Sequence, residues 1–243
     1  MIRGLYAAAS GLQVASEQQE VTAHNLAHIS TPGYRARGTI TETFDQALGR
    51  SQPPTGDLTG ARVVGSYHDF RPGPLQQTGH PYDLALVEPD QFFTLAGPNG
   101  PLYTRNGTFR LSPQGQILSQ GGYPLQGENG PITVPPNTAR LVIASDGSIS
   151  ADGTPTGRLR PVQFADTKQL TAAGPTLYTA SPGAGPRPAD GRVIQGWREG
   201  SNVQPAEAMV QLIIGARYYD AAQRSLRTIS ESIQLNTRPQ SGG

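Results

Sequence analysis

Near both ends of the chain a seam of positions recurs in steps of three and four. At the start it runs through Ile2, Leu5, Ala9, Leu12, Ser16, Gln19, Ala23 and Leu26. Near the end it runs through Met209, Leu212, Ala216, Tyr219, Gln223, Leu226, Ser230 and Ile233. That is the rhythm of helices that bury a seam against another helix. Residues 2 to about 28 are expected as one helix, roughly 40 Å long at the α-helical rise. Its seam is weak, with Ser16 and Gln19 in the middle, and a second stripe of Ala7, Val14 and Val21 lies on another face. Two stripes suit a helix with neighbours on several sides. Ser30-Thr31-Pro32-Gly33 is expected to end it, because Pro disfavours helix at the residue before it and Gly permits the turn. Residues 205 to about 236 read as the second helix, with Ser201 or Asn202 as cap and Glu207 in the first turn. Ile213, Ala222 and Ile229 reinforce its seam, Arg238-Pro239 ends it, and the tail beyond is expected to fray.

The pattern changes between the helices. Residues 34 to about 66 look extended and loosely structured, with a loop at Pro53-Pro54-Thr55-Gly56. From Val63 short alternating runs begin, at Tyr82–Val87, Phe92–Leu95, Arg140–Ala144 and Arg160–Phe164. Asn99-Gly100, Asn106-Gly107 and Asp146-Gly147 read as hairpin dipeptides, since both positions tolerate positive φ. Gly183–Pro188 reads as loop. The expected fold class is α+β, with N- and C-terminal helices forming a coiled coil around a central, mostly antiparallel β domain. The expected organisation is a helix at 1–32, an extended linker region at 33–66, a β domain at 67–200, a helix at 201–238 and a tail at 239–243.

Composition narrows the function classes. The 30 glycines and 22 prolines act as turn punctuation in the middle and favour a β-rich body. A formal charge of +1 gives no electrostatic case for nucleic acid or an anionic membrane. With no cysteine, thiolate chemistry, cysteine-ligated metals and disulfides are excluded. The N-terminus has one basic residue, no unbroken apolar core of adequate length and polar residues at Gln13, Ser16 and Glu17, so it is expected to fail as a cleavable signal peptide, and no segment has the length of a membrane span.

Candidate chemistry is sparse. His24 and His28 share a helix face, but no third metal ligand stands nearby. His68 precedes Asp69 without a nucleophile elbow elsewhere, and His80 lies in a turn-like Gly-His-Pro. The acidic run from Asp146 to Asp152 lacks the glycine and the bidentate Glu of a calcium loop. No glycine-rich phosphate loop links a strand to a helix. The expectation is no catalytic residue, no cofactor and no metal. A helix-oligomerised binding module or adhesin is the competing class, and a hydrolase on the β domain has only unplaced carboxylates in its favour.

Several stretches resemble the flagellar axial proteins of the rod and hook group. Ala23-His24-Asn25-Leu26-Ala27-His28-Ile29-Ser30-Thr31-Pro32-Gly33-Tyr34 is similar to their N-terminal hallmark. Leu75–Ala85 and Tyr103–Phe109 are similar to the shared core of the FlgF/FlgG rod family, and Glu199-Gly200-Ser201-Asn202-Val203 with Glu207–Val210 to its C-terminal signature. His24, His28 and His80 stand where that pattern has Asn; both side chains hydrogen-bond, but only His charges near pH 6. Glu88-Pro89-Asp90-Gln91 replaces the usual glycine-rich turn.

The resemblance implies a structural subunit of the flagellar basal-body rod, exported by the flagellar type III apparatus without a cleavable signal. It assembles with itself and other axial proteins in the periplasm, with no nucleic acid and no membrane insertion. The proximal-rod type is favoured over the distal-rod type. The expected packing residues are Leu5, Leu12, Leu26, Met209, Leu212, Tyr219, Leu226 and Ile233, with Asn25, Thr31, Pro32 and Gly33 at the junction.

Overall fold

A computed structural model describes residues 2–43 and 60–237. The loop expected at Pro53–Gly56, the helix stop at Arg238-Pro239 and the tail lie outside the described residues, as does the side chain of Ile233. The chain forms two compact units: unit 1 holds residues 1–27, 37–68 and 204–243, and unit 2 holds residues 28–36 and 69–203.

Unit 1 contains helix α1 (Ile2–Ala27), strands β1 (Arg37–Thr43) and β2 (Ala61–His68), and helix α2 (Pro205–Thr237). Both helices lie where the spacing predicts. On α1, Ala15 is buried while Ala9 and Ala23 are exposed. On α2, Ala208 is buried and Leu212, Gly215, Tyr219, Ala222, Leu226 and Ile229 are half-buried, again in steps of four and three. Met209 and Ile213, expected in the seam, are 53% and 55% exposed. The covered line keeps Leu212, Ala216, Tyr219, Gln223 and Leu226, each half-buried, and adds Ala208 and Gly215 one position before Met209 and Ala216. Small side chains let the helices approach: a Cβ placed on Gly215 stands 4.0 Å from Gln19 Cβ.

The start of α2 corrects the expected cap. Pro205 opens the helix, where its missing N–H costs nothing. Ser201 Oγ accepts from Val203 N, and the Asn202 side chain is engaged elsewhere, so neither caps the helix.

Residues 34–66, expected to be loosely structured, hold paired strands. β1 and β2 form an antiparallel ribbon with a bulge at Ile40/Thr41. Glycines make this pairing work. The Tyr67 ring lies over Gly38, and Ile40 Cδ1 lies over Gly65, 3.9 Å from where a Cβ would be. Large side chains that cover cross-strand glycines stabilise pairing that local sequence does not announce.

Unit 2 is antiparallel throughout. Its strands are β3 (Leu75–Gln77), β4 (Leu84–Leu86), β5 (Gln91–Gly97), β6 (Gly100–Thr104), β7 (Phe109–Leu111), β8 (Ile117–Ser119), β9 (Gln126–Gly127), β10 (Gly130–Pro131), β11 (Leu141–Ile143), β12 (Ser148–Ala151), β13 (Thr154–Arg158), β14 (Val162–Gln163), β15 (Leu170–Ala172), β16 (Leu177–Ala180), β17 (Arg187–Pro188), β18 (Val193–Gln195) and β19 (Trp197–Glu199). The largest sheet has the order β15-β16-β6-β5-β14-β17. It is covered on both faces, which explains why adjacent Phe92 and Phe93 are both buried: successive side chains point to opposite sides. Phe93 joins Leu95, Phe109, Ile117, Leu125 and Ile149 in the main core. Phe92 joins Tyr103, Phe164 and Tyr178 in a second core, where Tyr103 and Phe164 meet edge to face at 4.9 Å.

The β5–β6 hairpin turns through Pro98-Asn99, one position before the expected dipeptide, with Gly100 opening β6 opposite Gly97, and Asp146-Gly147 lies in the β11–β12 turn with Gly147 alone of the pair at positive φ. Asn106-Gly107 does not close a hairpin. Asn106 Oδ1 accepts from Thr108 N, and the strands on either side pair with other partners. The Gly183–Pro188 loop ends in the edge strand β17, which pairs with β14.

Candidate functional site

The side chains singled out by the sequence fall in both units. In unit 1, Leu5, Leu12, Leu26, Leu212, Tyr219 and Leu226 are half-buried along the helices, and Met209 is exposed. Asn25 makes a two-pronged bond to the Arg37 backbone, with Nδ2 donating to the carbonyl and Oδ1 accepting from the amide, both at 2.8 Å. This copies a strand pairing and fastens the end of α1 to the start of β1. Ser10 Oγ makes a second tie, accepting from Ala61 N of β2 at 3.3 Å.

Unit 1 also carries an apolar surface that the fold leaves open. Met209, Val210, Ile213, Ile214 and Tyr218 of α2 are between 49% and 72% exposed. They stand three or four residues apart, so they form one stripe. A groove of about 560 Å³ runs beside Gly11, Val14, Ala15, Ile214, Gly215 and Tyr218.

In unit 2, Thr31, Pro32 and Gly33 form the turn after α1. The Thr31 amide donates to His28 O, and the His28 ring, 3.2 Å from Thr31 Oγ1, stacks on Tyr34 with centroids 4.9 Å apart. The histidine that replaces an expected Asn thus keeps a local bond and adds a ring contact. Gly33 has φ +67, and a Cβ there would stand 2.3 Å from Asn106 N. Only glycine fits that position.

The turn delivers Tyr34 and Arg35 into complete burial. Sequence reasoning missed this centre. The Glu199 carboxylate, 1% exposed, lies between two guanidinium groups. Arg35 Nη2 donates to Oε1 and Arg105 Nε donates to Oε2, each at 2.7 Å, while Gly73 N also donates to Oε1 at 2.8 Å. Arg105 spends its remaining donors on the carbonyls of Leu86, Glu88 and Gln91. Burial pulls the Arg105 pKa down, and the Glu199 charge opposes that shift. Arg35 Nε and Nη1 have no hydrogen-bond partner among the described residues.

Around the ion cluster runs a backbone net. Asn202 Oδ1 accepts from Ala36 N at 2.7 Å, and its Nδ2 donates to Asp69 O at 2.7 Å and Arg71 O at 3.0 Å. Gly33 N donates to Glu199 O, Asp69 N to Ala36 O, and Gly200 N to Pro74 O, each at 2.8 Å. Every charge points at a protein partner. The arrangement fastens chain segments and presents no open reactive group. Among the described residues, no cluster of three or more His, Cys, Asp or Glu could hold a metal ion, and no helix is long and apolar enough to cross a membrane.

The three charged residues of this cluster, Arg35, Arg105 and Glu199, lie in segments that carry family patterns. Residues 5–35 match the model of flagella basal body rod proteins, residues 86–151 the flagellar hook protein FlgE/F/G D1 domain, and residues 194–236 the flagellar basal body rod FlgEFG protein C-terminal region. The chain is 33% identical to the flagellar basal-body rod protein FlgF of Salmonella typhimurium, over 96% of each chain. The chain belongs to the flagellar basal-body rod family of FlgF/FlgG type. It is also 33% identical to the FlgF of Escherichia coli over 96% of each, and 30% identical to a FlgG of Buchnera aphidicola over 96% of this chain and 98% of that one. Members of this rod family are structural subunits, and the inward-facing charges of unit 2 agree with that role.

Proposed function

We propose that the chain is a proximal-rod subunit of the FlgF type. In this reading α1 and α2 pair as a coiled coil and pack with the helices of neighbouring subunits, of its own kind and of other axial proteins. The chain leaves the cell through the flagellar type III apparatus without a cleavable signal, and joins the rod in the periplasm. It then passes motor torque mechanically, a role that needs no catalytic residue. The observation that carries the reading is the open stripe Met209, Val210, Ile213, Ile214 and Tyr218 on a helix whose opposite seam already packs within the chain.

Energetics support assembly over simple dimerisation. Burying the exposed half of each of these side chains is worth about 1 kcal/mol, so the stripe contributes on the order of 5 kcal/mol. Bringing two molecules together costs about 4–15 kcal/mol. One stripe lies at the low end of that cost, and contacts with several neighbours at a growing tip add to what the stripe contributes. A head-to-tail contact of this kind continues into an open helical filament.

Quantitative mass spectrometry of purified basal bodies tests the assignment. The proximal reading expects the chain at lower copy than a longer paralogue; a dominant copy number would make it the distal subunit, and its absence would end the rod reading. Leu226→Asp tests the packing. It should abolish incorporation while leaving unit 2 folded, and motile cells carrying it would refute the helix-pairing mechanism.

A further inference from the structure

The chain passes between the two units four times, at 27/28, 36/37, 68/69 and 203/204. On the unit 2 side, all of these passages lead into the hydrogen-bond net around Glu199 and Asn202. Asn202 alone bonds to Ala36, Asp69 and Arg71. Glu199 bonds through its side chain to Arg35 and Gly73 and through its backbone to Gly33. Arg105 then ties Glu199 to the carbonyls of Leu86, Glu88 and Gln91, in and beside β4 and β5.

We propose that this net is a mechanical clasp. Tension applied between the segment that follows α1 and the segment that precedes α2 crosses from Gly33 and Ala36 to Glu199 and Asn202. It does not run through the chain between them. The clasped residues are far apart in sequence, by 164 positions for Arg35–Glu199 and 166 for Ala36–Asn202. The ribbon and the whole sheet therefore hang off the load path as an unloaded loop. A chain built this way carries load between these two connecting segments without straining its β core. The clasp's use in the cell rests on the rod reading, but its mechanics do not.

Single-molecule pulling on the full chain tests the idea. The chain has no cysteine, so Ser30→Cys and Gln204→Cys give unique handles at exposed positions on either side of the clasp. Opening the clasp passes the load to the β3–β19 and β4–β18 pairs behind it, and once these part the intervening chain comes free with a contour gain of roughly 55–60 nm at about 3.3–3.6 Å per residue. Glu199→Gln and Asn202→Ala should each speed opening at a fixed force, Glu199→Gln by on the order of a hundredfold. Ile149→Ala is the control. It weakens the buried main core away from the clasp and should lower stability to denaturant while leaving the opening rate unchanged. Should Ile149→Ala speed opening as much as Glu199→Gln, the clasp is ordinary stability and the proposal is overturned. Unchanged opening in both Glu199→Gln and Asn202→Ala would overturn it as well. Absence of the chain from basal bodies would remove the rod reading without altering these opening rates, so the two readings fail separately.

Discussion

Glu199→Gln should be among the most damaging conservative changes in the chain, and Arg35→Met should be much milder. The carboxylate accepts from Arg35 and Gly73 at Oε1 and from Arg105 at Oε2. An amide in its place keeps one oxygen. If that oxygen faces Arg35 and Gly73, the new NH2 points its donors at the Arg105 donors. If it is flipped, both Arg35 and Gly73 lose their acceptor. Either way two buried guanidinium groups are left without a counter-charge, and removing one partner of a buried ion pair costs about 3–5 kcal/mol. That is a large share of the roughly 5–15 kcal/mol that holds a domain folded.

Arg35→Met acts in the opposite sense on the charge balance. The cluster holds two arginines and one carboxylate, and Arg35 Nε and Nη1 have no hydrogen-bond partner among the described residues. Removing it leaves Glu199 and Arg105 as a balanced pair, with Gly73 N still bonded to Oε1. The expected cost is below about 1.5 kcal/mol, because no uncompensated charge remains. Urea unfolding followed by Trp197 fluorescence measures both. It is the sole tryptophan, belongs to unit 2 and stands two residues from Glu199. A midpoint that falls further for Arg35→Met than for Glu199→Gln, at unchanged slope, would refute the charge argument.

Three further changes probe other parts of the chain. Gly33→Ala combines φ +67 with a Cβ 2.3 Å from a backbone nitrogen, so it should cost more than the roughly 1–2 kcal/mol of left-handed backbone alone, read by the same urea assay; a loss under about 0.5 kcal/mol would contradict it. Gly11→Ala meets no heavy atom within 4 Å and gains about 1 kcal/mol of helix propensity, so the isolated chain should melt higher by circular dichroism. Because Gly11 lines the open groove, the same variant should impair motility if a neighbouring helix fills that groove, and unimpaired motility would show the groove unused. The Asp69 carboxyl is held below 3.8, chiefly by the Arg71 side-chain hydrogen bond. Its contribution is therefore complete above the unfolded value and is lost as pH falls through the lower folded value. Asp69→Asn should cost stability at pH 7 and flatten the acid limb below about pH 4, whereas parallel limbs for both proteins would refute the assignment.

The helices were legible because a three-four rhythm survives even when half the seam is Ala, Ser or Gln. Their phase was less so. Met209 looks more like core than Ala208, yet Met209 is exposed and Ala208 buried. The sheet was legible in its turns and in Phe92-Phe93, but the β1–β2 pairing was not. Arg37–Thr43 carries one apolar side chain, Ile40, and its partner strand begins after a gap that pattern cannot bridge. The ion cluster was illegible for a different reason. Charged residues have no periodicity that marks burial, and Arg105 and Glu199 meet across 94 positions. Glu199 and Asn202 stood out as part of a signature, but nothing local revealed that one takes two arginines and the other joins three segments.

The choice of ions over apolar contacts at this point has a physical logic. A buried ionic cluster is rarely the most stable filling for its volume, and apolar residues of like size often do as well or better. Apolar contacts are forgiving, however. A strand covered on both faces can slip by one residue and still bury apolar area, because the slip only exchanges the two faces. Glu199 accepts from three donors on three separate segments, and Asn202 bonds to three backbone positions. Those bonds are directional, and each loses most of its value when misaligned. A slip at Ala36, Asp69 or Gly73 would leave a buried charge or amide without its partner, at a cost that packing does not return. In the assembly proposed above, the two helices can tolerate an adaptable, small-residue seam because their final partners would arrive from other subunits. The segments that connect those helices to the sheet have no such later correction, so their register is set inside the chain by groups that accept a single arrangement.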